Sequence, residues 1–209
     1  MSTAARTLLL GSAAACVVAA GTLFWQYAAR PTSVEFSPPD EDICIVPPAR
    51  VSAAHPYDPA SGLAVYDARP IPADARCPVC GMYPARFPRW AAQIIFKDGS
   101  AHFFDSPVDL FMFLEEPKRF DATHTAEDAA AMYVADYRSS SWLEARQAAF
   151  VIDSSARGPM RGPDLPAFAD LAAAQAFIAE RGGRALGFTE VDRSVMRSLR
   201  SATHAGHTH

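Results

Sequence analysis

Cysteine is scarce in this chain: there are four in 209 residues. That is too few for a disulfide scaffold and enough for one chemical site. Basic charge is not in excess either, with 19 Lys and Arg against 23 Asp and Glu. The net charge of −4 argues against nucleic-acid binding through a basic surface. With 20% charged residues the chain is not a disordered polyelectrolyte. Catalytic groupings are missing as well. No nucleophile or second carboxylate is evidently placed beside Asp105 or Asp136. Both therefore read as capping or backbone-bonding residues, and the chain reads as a binding module and not an enzyme.

Residues 7–25 carry no charge over 19 positions. As a helix they would reach about 28 Å, one hydrocarbon thickness. Arg6 precedes them, and Trp25, Tyr27 and Arg30 follow at interface positions. Residues 1–30 are therefore expected to be an uncleaved membrane anchor, with the rest of the chain outside the cytoplasmic membrane. A cleaved signal peptide and a lipoprotein attached at Cys16 compete with that reading. No leucine stands three positions before Cys16, and the apolar run continues past it.

Twelve of the 17 prolines fall between Pro31 and Pro88. Proline removes donors and disfavours helix before it, so 31–75 is expected to be an extended tether. Cys44 lies in it. The compact domain is expected over 76–192. Strands at 90–97 and 100–104 flank Asp98-Gly99, which suits a two-residue hairpin turn. Ser106-Pro107 opens a helix with Val108, Phe111, Met112 and Leu114 on one side, ended by Pro117. Strands follow at 132–137 and 148–153. Asp170 opens a second helix with Leu171, Ala174, Phe177 and Ile178 inward, stopped by Gly182-Gly183 before a strand at 185–191. This order is an α+β fold of two pseudo-repeated β-β-α-β units. A last helix and a His-containing tail (His204, His207, His209) occupy 193–209.

The chemistry concentrates in Cys77-Pro78-Val79-Cys80-Gly81-Met82. Two thiols and a thioether in one loop suit a soft closed-shell ion, of which Cu(I) is the usual case. Gly81 lets the loop turn tightly. Met160 lies in a second glycine- and proline-rich loop, where burying methionine for packing makes little sense, and the pseudo-symmetry would let it face the first loop. Met112 and Met132 read as core gap-fillers. The same CxxC also fits a structural disulfide, a zinc site lacking its second ligand pair, or a thioredoxin-like redox pair. His102, in a strand opposite the cysteine loop, reads as a structural imidazole with a metal-ligand or supporting role open. His124 reads as a loop residue.

Seven landmarks in order resemble the NosL family of nitrous oxide reductase accessory proteins. They are Cys77-Pro78-x-Cys80-Gly81-Met82, Phe96-Lys97-Asp98-Gly99, Phe104-Asp105, Val134-x-Asp136-Tyr137, Trp142-x-x-Ala145, Pro159-Met160, and Gly182-Gly183 through Phe188. The resemblance covers 76–192. It implies an extracytoplasmic Cu(I) chaperone delivering copper for the copper-sulfide centre of nitrous oxide reductase. The reductase and its membrane maturation complex would be its partners. It also implies an architecture similar to the carboxy-terminal part of organomercurial lyase. Carried over by position, the metal ligands would be Cys80, Met82 and Met160, with Cys77 or a histidine adding a fourth contact. A membrane-tethered thiol-disulfide oxidoreductase using Cys77 and Cys80 is the rival function.

Overall fold

A computed structural model describes residues 53–205. The apolar segment 7–25, the tether up to residue 52 and the end of the tail lie outside the described residues. Among those described, no helix is long and apolar enough to cross a membrane.

Strands β1 (Ala92–Phe96) and β2 (Ala101–Phe104) form an antiparallel hairpin. Its loop has three residues and not the two expected. Phe96 N–H bonds Ser100 O at 2.8 Å, and Gly99 N–H closes the turn on Phe96 O at 2.9 Å. Gly99 takes φ 82°, the left-handed bulge position that such loops require. Helix α1 (Pro107–Glu115) follows, with the Ser106 hydroxyl accepting Asp109 N–H at 3.3 Å. A short turn, α2 (Pro117–Phe120), leads to β3 (Ala129–Ala135) and β4 (Trp142–Glu144).

The second half repeats the plan. Strands β5 (Ala149–Ile152) and β6 (Ala167–Phe168) precede α3 (Leu171–Arg181), which is capped by Asp170 and followed by β7 (Arg184–Gly187). The sheets run β2-β1-β3-β4 and β6-β5-β7, so each unit places its first strand between its second and third. This is the α+β arrangement of two β-β-α-β units. The first half adds α2 and the edge strand β4, and the tight turn of its hairpin is replaced in the second half by the long 153–166 loop that carries Met160.

One core spans both halves, with Phe104, Leu110 and Phe113 of the first joined to Phe150, Ile152 and Leu165 of the second. Asp136 stitches the seam: it bridges Ala167 in parallel and accepts Ala169 N–H at 3.3 Å. That is the backbone-bonding role expected of it. Helix α4 (Arg193–Ala205) packs Val195, Met196 and Leu199 on the same core.

Three expectations change. In α1 Leu110, Phe111 and Phe113 are buried with Asp109, while Val108, Met112 and Leu114 pack against the same core only half-buried. The segment is apolar nearly all round, so its periodicity does not select a face. In α3 Leu171 is 59% exposed, because the helix has only begun there and Ala174 and Phe177 make the contacts. Finally, residues 53–75 of the expected tether pack on the first sheet. His55 exchanges two 2.8 Å backbone bonds with Ala101, Ala75 is buried, and Gln93 clasps the Arg69 backbone on both sides. Prolines bar regular structure there, yet side-chain amides and the open edge of β2 supply the missing partners.

Candidate metal centre

The cysteine loop is closed by its own backbone. Gly81 N–H donates to Cys77 O and Cys77 N–H to Met82 O, both at 2.9 Å, with Gly81 at φ 76°. Cys77 is thereby driven into the core at 1% exposure, while Cys80 stays half-buried. Both thiols are free. Cys77 Sγ–H donates to Asp109 Oδ2 at 3.3 Å and Cys80 Sγ–H to Asp105 Oδ1 at 2.9 Å. One donor atom from each of these four residues lies within 4.8 Å of the others.

Asp105 and Asp109 come from the β2–α1 junction, four residues apart, so both turn toward the loop. Neither stands out from sequence as a site residue: Asp105 reads as a capping or backbone-bonding residue, and Asp109 as nothing more than a first-turn acid beside the helix dipole. Ser106 is the cap instead. The available signal was Asp109 standing alone in an apolar helix. Asp164 was missed too. It is buried at the end of the Met160 loop, packed so closely on Gly158 that a Cβ there would overlap its carboxylate.

The electrostatics are those of carboxyls and thiols crowded together. Burial, then the Asp105 charge, pushes Asp109 up to about 7. Burial pushes Asp164 up to about 8. Burial also raises Cys77, and Cys80 is raised by its hydrogen bond with Cys77, then by burial and by Asp109. Asp105 Oδ2 is buried with no hydrogen-bond partner. Such a cluster holds protons, and a cation bound there would displace them, since it would invert the local pKa balance.

Beside the cluster opens a cavity of about 400 Å³, lined among others by Cys80, Asp109, Met112, Met160 and Asp164. Met160 reaches it while remaining 59% exposed. Cys80 and Met160, two of the sequence-predicted ligands, thus share one cavity. Met82 is half-buried and contributes its carbonyl to the loop without lining the cavity. Met132 is core, as expected. Met112 packs half-buried against the core, as expected, and lines the cavity as well.

His102 is not part of this group. Its Nε2–H donates to Asp121 Oδ2 at 2.8 Å, and the same oxygen accepts from His124 Nδ1–H at 2.7 Å. His124 Nε2–H reaches Asp98 Oδ2 at 3.0 Å. Burial lowers His102. His124 is raised, since its bonds to Asp98 and Asp121 outweigh its burial. His102 therefore belongs to a polar brace between the β1–β2 hairpin and the loop after α2. The same brace makes His124 more than a bare loop residue.

The fold and its thiol-lined cavity define a small α+β module with a soft-donor site. The sequence model of the NosL family matches residues 68–196, and the chain belongs to that family. A relative, the copper-binding lipoprotein NosL of Stutzerimonas stutzeri, is 31% identical over 142 residues, covering 64% of this chain and 70% of that protein. The crystal structure of the copper chaperone NosL from Shewanella denitrificans is similar at 29% identity and a TM-score of 0.54. That match covers 62% of this chain and 98% of the other.

Proposed function

We propose that the chain is an extracytoplasmic Cu(I) metallochaperone that supplies copper for the copper-sulfide centre of nitrous oxide reductase, acting with that enzyme's membrane maturation complex. The carrying observation is that the Cys80 thiol and the Met160 thioether, from different halves of the fold, line one cavity. Thiolate and thioether donors select a soft ion. The names of its relatives, a copper-binding lipoprotein and a copper chaperone, agree with copper as cargo. The lipoprotein relative also supports attachment to a membrane through the amino-terminal segment, facing away from the cytoplasm.

In this reading Cys80 loses its proton to the medium or to a neighbouring carboxylate as Cu(I) binds, and its thiolate supplies most of the affinity. Met160 and Met82 add neutral sulfur that does not protonate. Cys77, behind Cys80, keeps the thiol pair oriented. Copper leaves by ligand exchange with an acceptor thiolate or imidazole, so no covalent bond of a substrate is made or broken.

The oxidoreductase alternative fares worse. An attacking thiol in a redox pair works through a lowered pKa and access, whereas Cys77 is buried and both thiols are raised. Anaerobic Cu(I) titration against a competing chelator tests the proposal. Cys80→Ser and Met160→Leu must each weaken binding, and affinity unchanged in both overturns it. Loss of a disulfide-reducing turnover in Cys77→Ala would instead support the redox function.

A further inference from the structure

We propose that Met112 is an inner thioether ligand of the copper site, joining Cys80 and Met160 within one cavity. The inference rests on the copper-binding reading above and adds a donor to it.

Three observations carry it. First, Met112 sits at the edge of the core: Leu110 and Phe113 are fully buried, while Met112 packs against the core half-buried and also lines the cavity with Cys80 and Met160. Second, it follows Asp109 by three residues, so the two side chains are neighbours on one helix face. Asp109 touches Cys77, and its four-atom cluster includes Cys80. The helix register therefore brings the thioether to the thiol pair. Third, the cavity wall already carries groups that ionise, the Cys80 thiol and the carboxylates of Asp109 and Asp164, with Cys77 and Asp105 clustered behind them. A further anion would add repulsion, and a neutral soft donor completes a Cu(I) shell without it.

The two thioethers also differ in depth. Met160 is 59% exposed at the rim, and Met112 sits on the helix inside. Copper met first by Met160 can pass to Cys80 and Met112, and the reverse order releases it at the rim. Unbranched and flexible, methionine suits such a moving contact.

The plain alternative is that Met112 is only an apolar wall. Met112→Leu separates the two, because it conserves volume and apolarity while deleting the sulfur. The full chain is titrated anaerobically with Cu(I) alone, and the copper shell is read by X-ray absorption. Expected are a loss of affinity of about tenfold or more, equivalent to at least about 1.4 kcal/mol, and one sulfur fewer in the shell. An unchanged affinity in Met112→Leu, with Cys80→Ser losing copper, overturns the inference and leaves the copper site standing. If Cys80→Ser also binds copper normally, the copper-site reading itself fails. A selenomethionine-labelled protein carrying Met82→Leu and Met160→Leu gives a second reading without altering Met112. A selenium neighbour must persist in its copper shell, and absence of one overturns the proposal.

Discussion

Cys80 Sγ lies 2.9 Å from Asp105 Oδ1, and the other oxygen of that carboxylate is buried without a partner. The pair joins the cysteine loop to the junction between β2 and α1. It places a negative group against a thiol that must become a thiolate to bind a soft metal.

Replacing that negative group tests the relationship directly. Asp105 is one of the charges that raise Cys80, so Asp105→Asn lowers the thiol pKa and increases its thiolate fraction. Alkylation of Cys80 in the metal-free protein at pH 8 should speed up by about threefold or more, the lower nucleophilicity of a more acidic thiol offsetting part of the gain. Tandem mass spectrometry resolves the modified site. A rate equal to or below that of the parent protein removes the electrostatic account.

Asp164 makes the metal-free protein sensitive to pH. Its carboxyl is held at about 8 by burial, against about 3.9 in an unfolded chain. The folded state therefore keeps a proton that the unfolded state releases, and stability falls as pH rises until the folded group also ionises near pH 8. Asp109, at about 7, acts in the same direction. So does His124, whose raised pKa gives stability that is lost as pH climbs above its unfolded value. His102, held neutral by burial, opposes them only below about pH 6.5. Denaturant unfolding between pH 6.5 and 8 should show the decline, with Asp164→Asn losing less by about 1–2 kcal/mol across that window. Parallel pH profiles for the two proteins contradict the assignment.

The brace around His102 should be separable from the metal site. Asp121, held near 2, accepts from His102, His124 and Thr123, and these bonds outweigh its burial. Asp121→Asn leaves the His124 cation partly uncompensated and should cost about 3 kcal/mol of stability. Cu(I) affinity of the folded variant should stay within about twofold of the parent (about 0.4 kcal/mol). A tenfold loss at unchanged folded fraction would bring the histidines into the copper site.

Much of the architecture was legible because local signals agreed with the final packing. Ser106-Pro107 and Asp170 each cap a helix as their residue types require, and Gly99 occupies a turn that needs positive φ. The Cys-x-x-Cys-Gly-Met loop and Met160 stood out because thiols and an ill-placed thioether have few other uses. The rest depended on tertiary direction. An apolar helix does not announce which side is core, so Met112 could not be told from Leu110. Asp105, Asp109 and Asp164 look like ordinary loop and helix carboxylates until the fold buries them around two thiols. The packing of residues 53–75 relies on Gln93 and Arg69, which lie far apart in sequence and belong to no regular pattern.

The two loops that meet at the cavity belong to different halves of the pseudo-repeat, one leading into β1 and the other joining β5 to β6. Any ion gripped by both must also hold the halves together, so its binding free energy is at the same time docking free energy across the seam. Reciprocity then runs the other way: an acceptor that pries the halves apart by pulling on either loop weakens the grip on the ion by the same amount. Release can therefore be driven by deforming the carrier as well as by competing for its cargo.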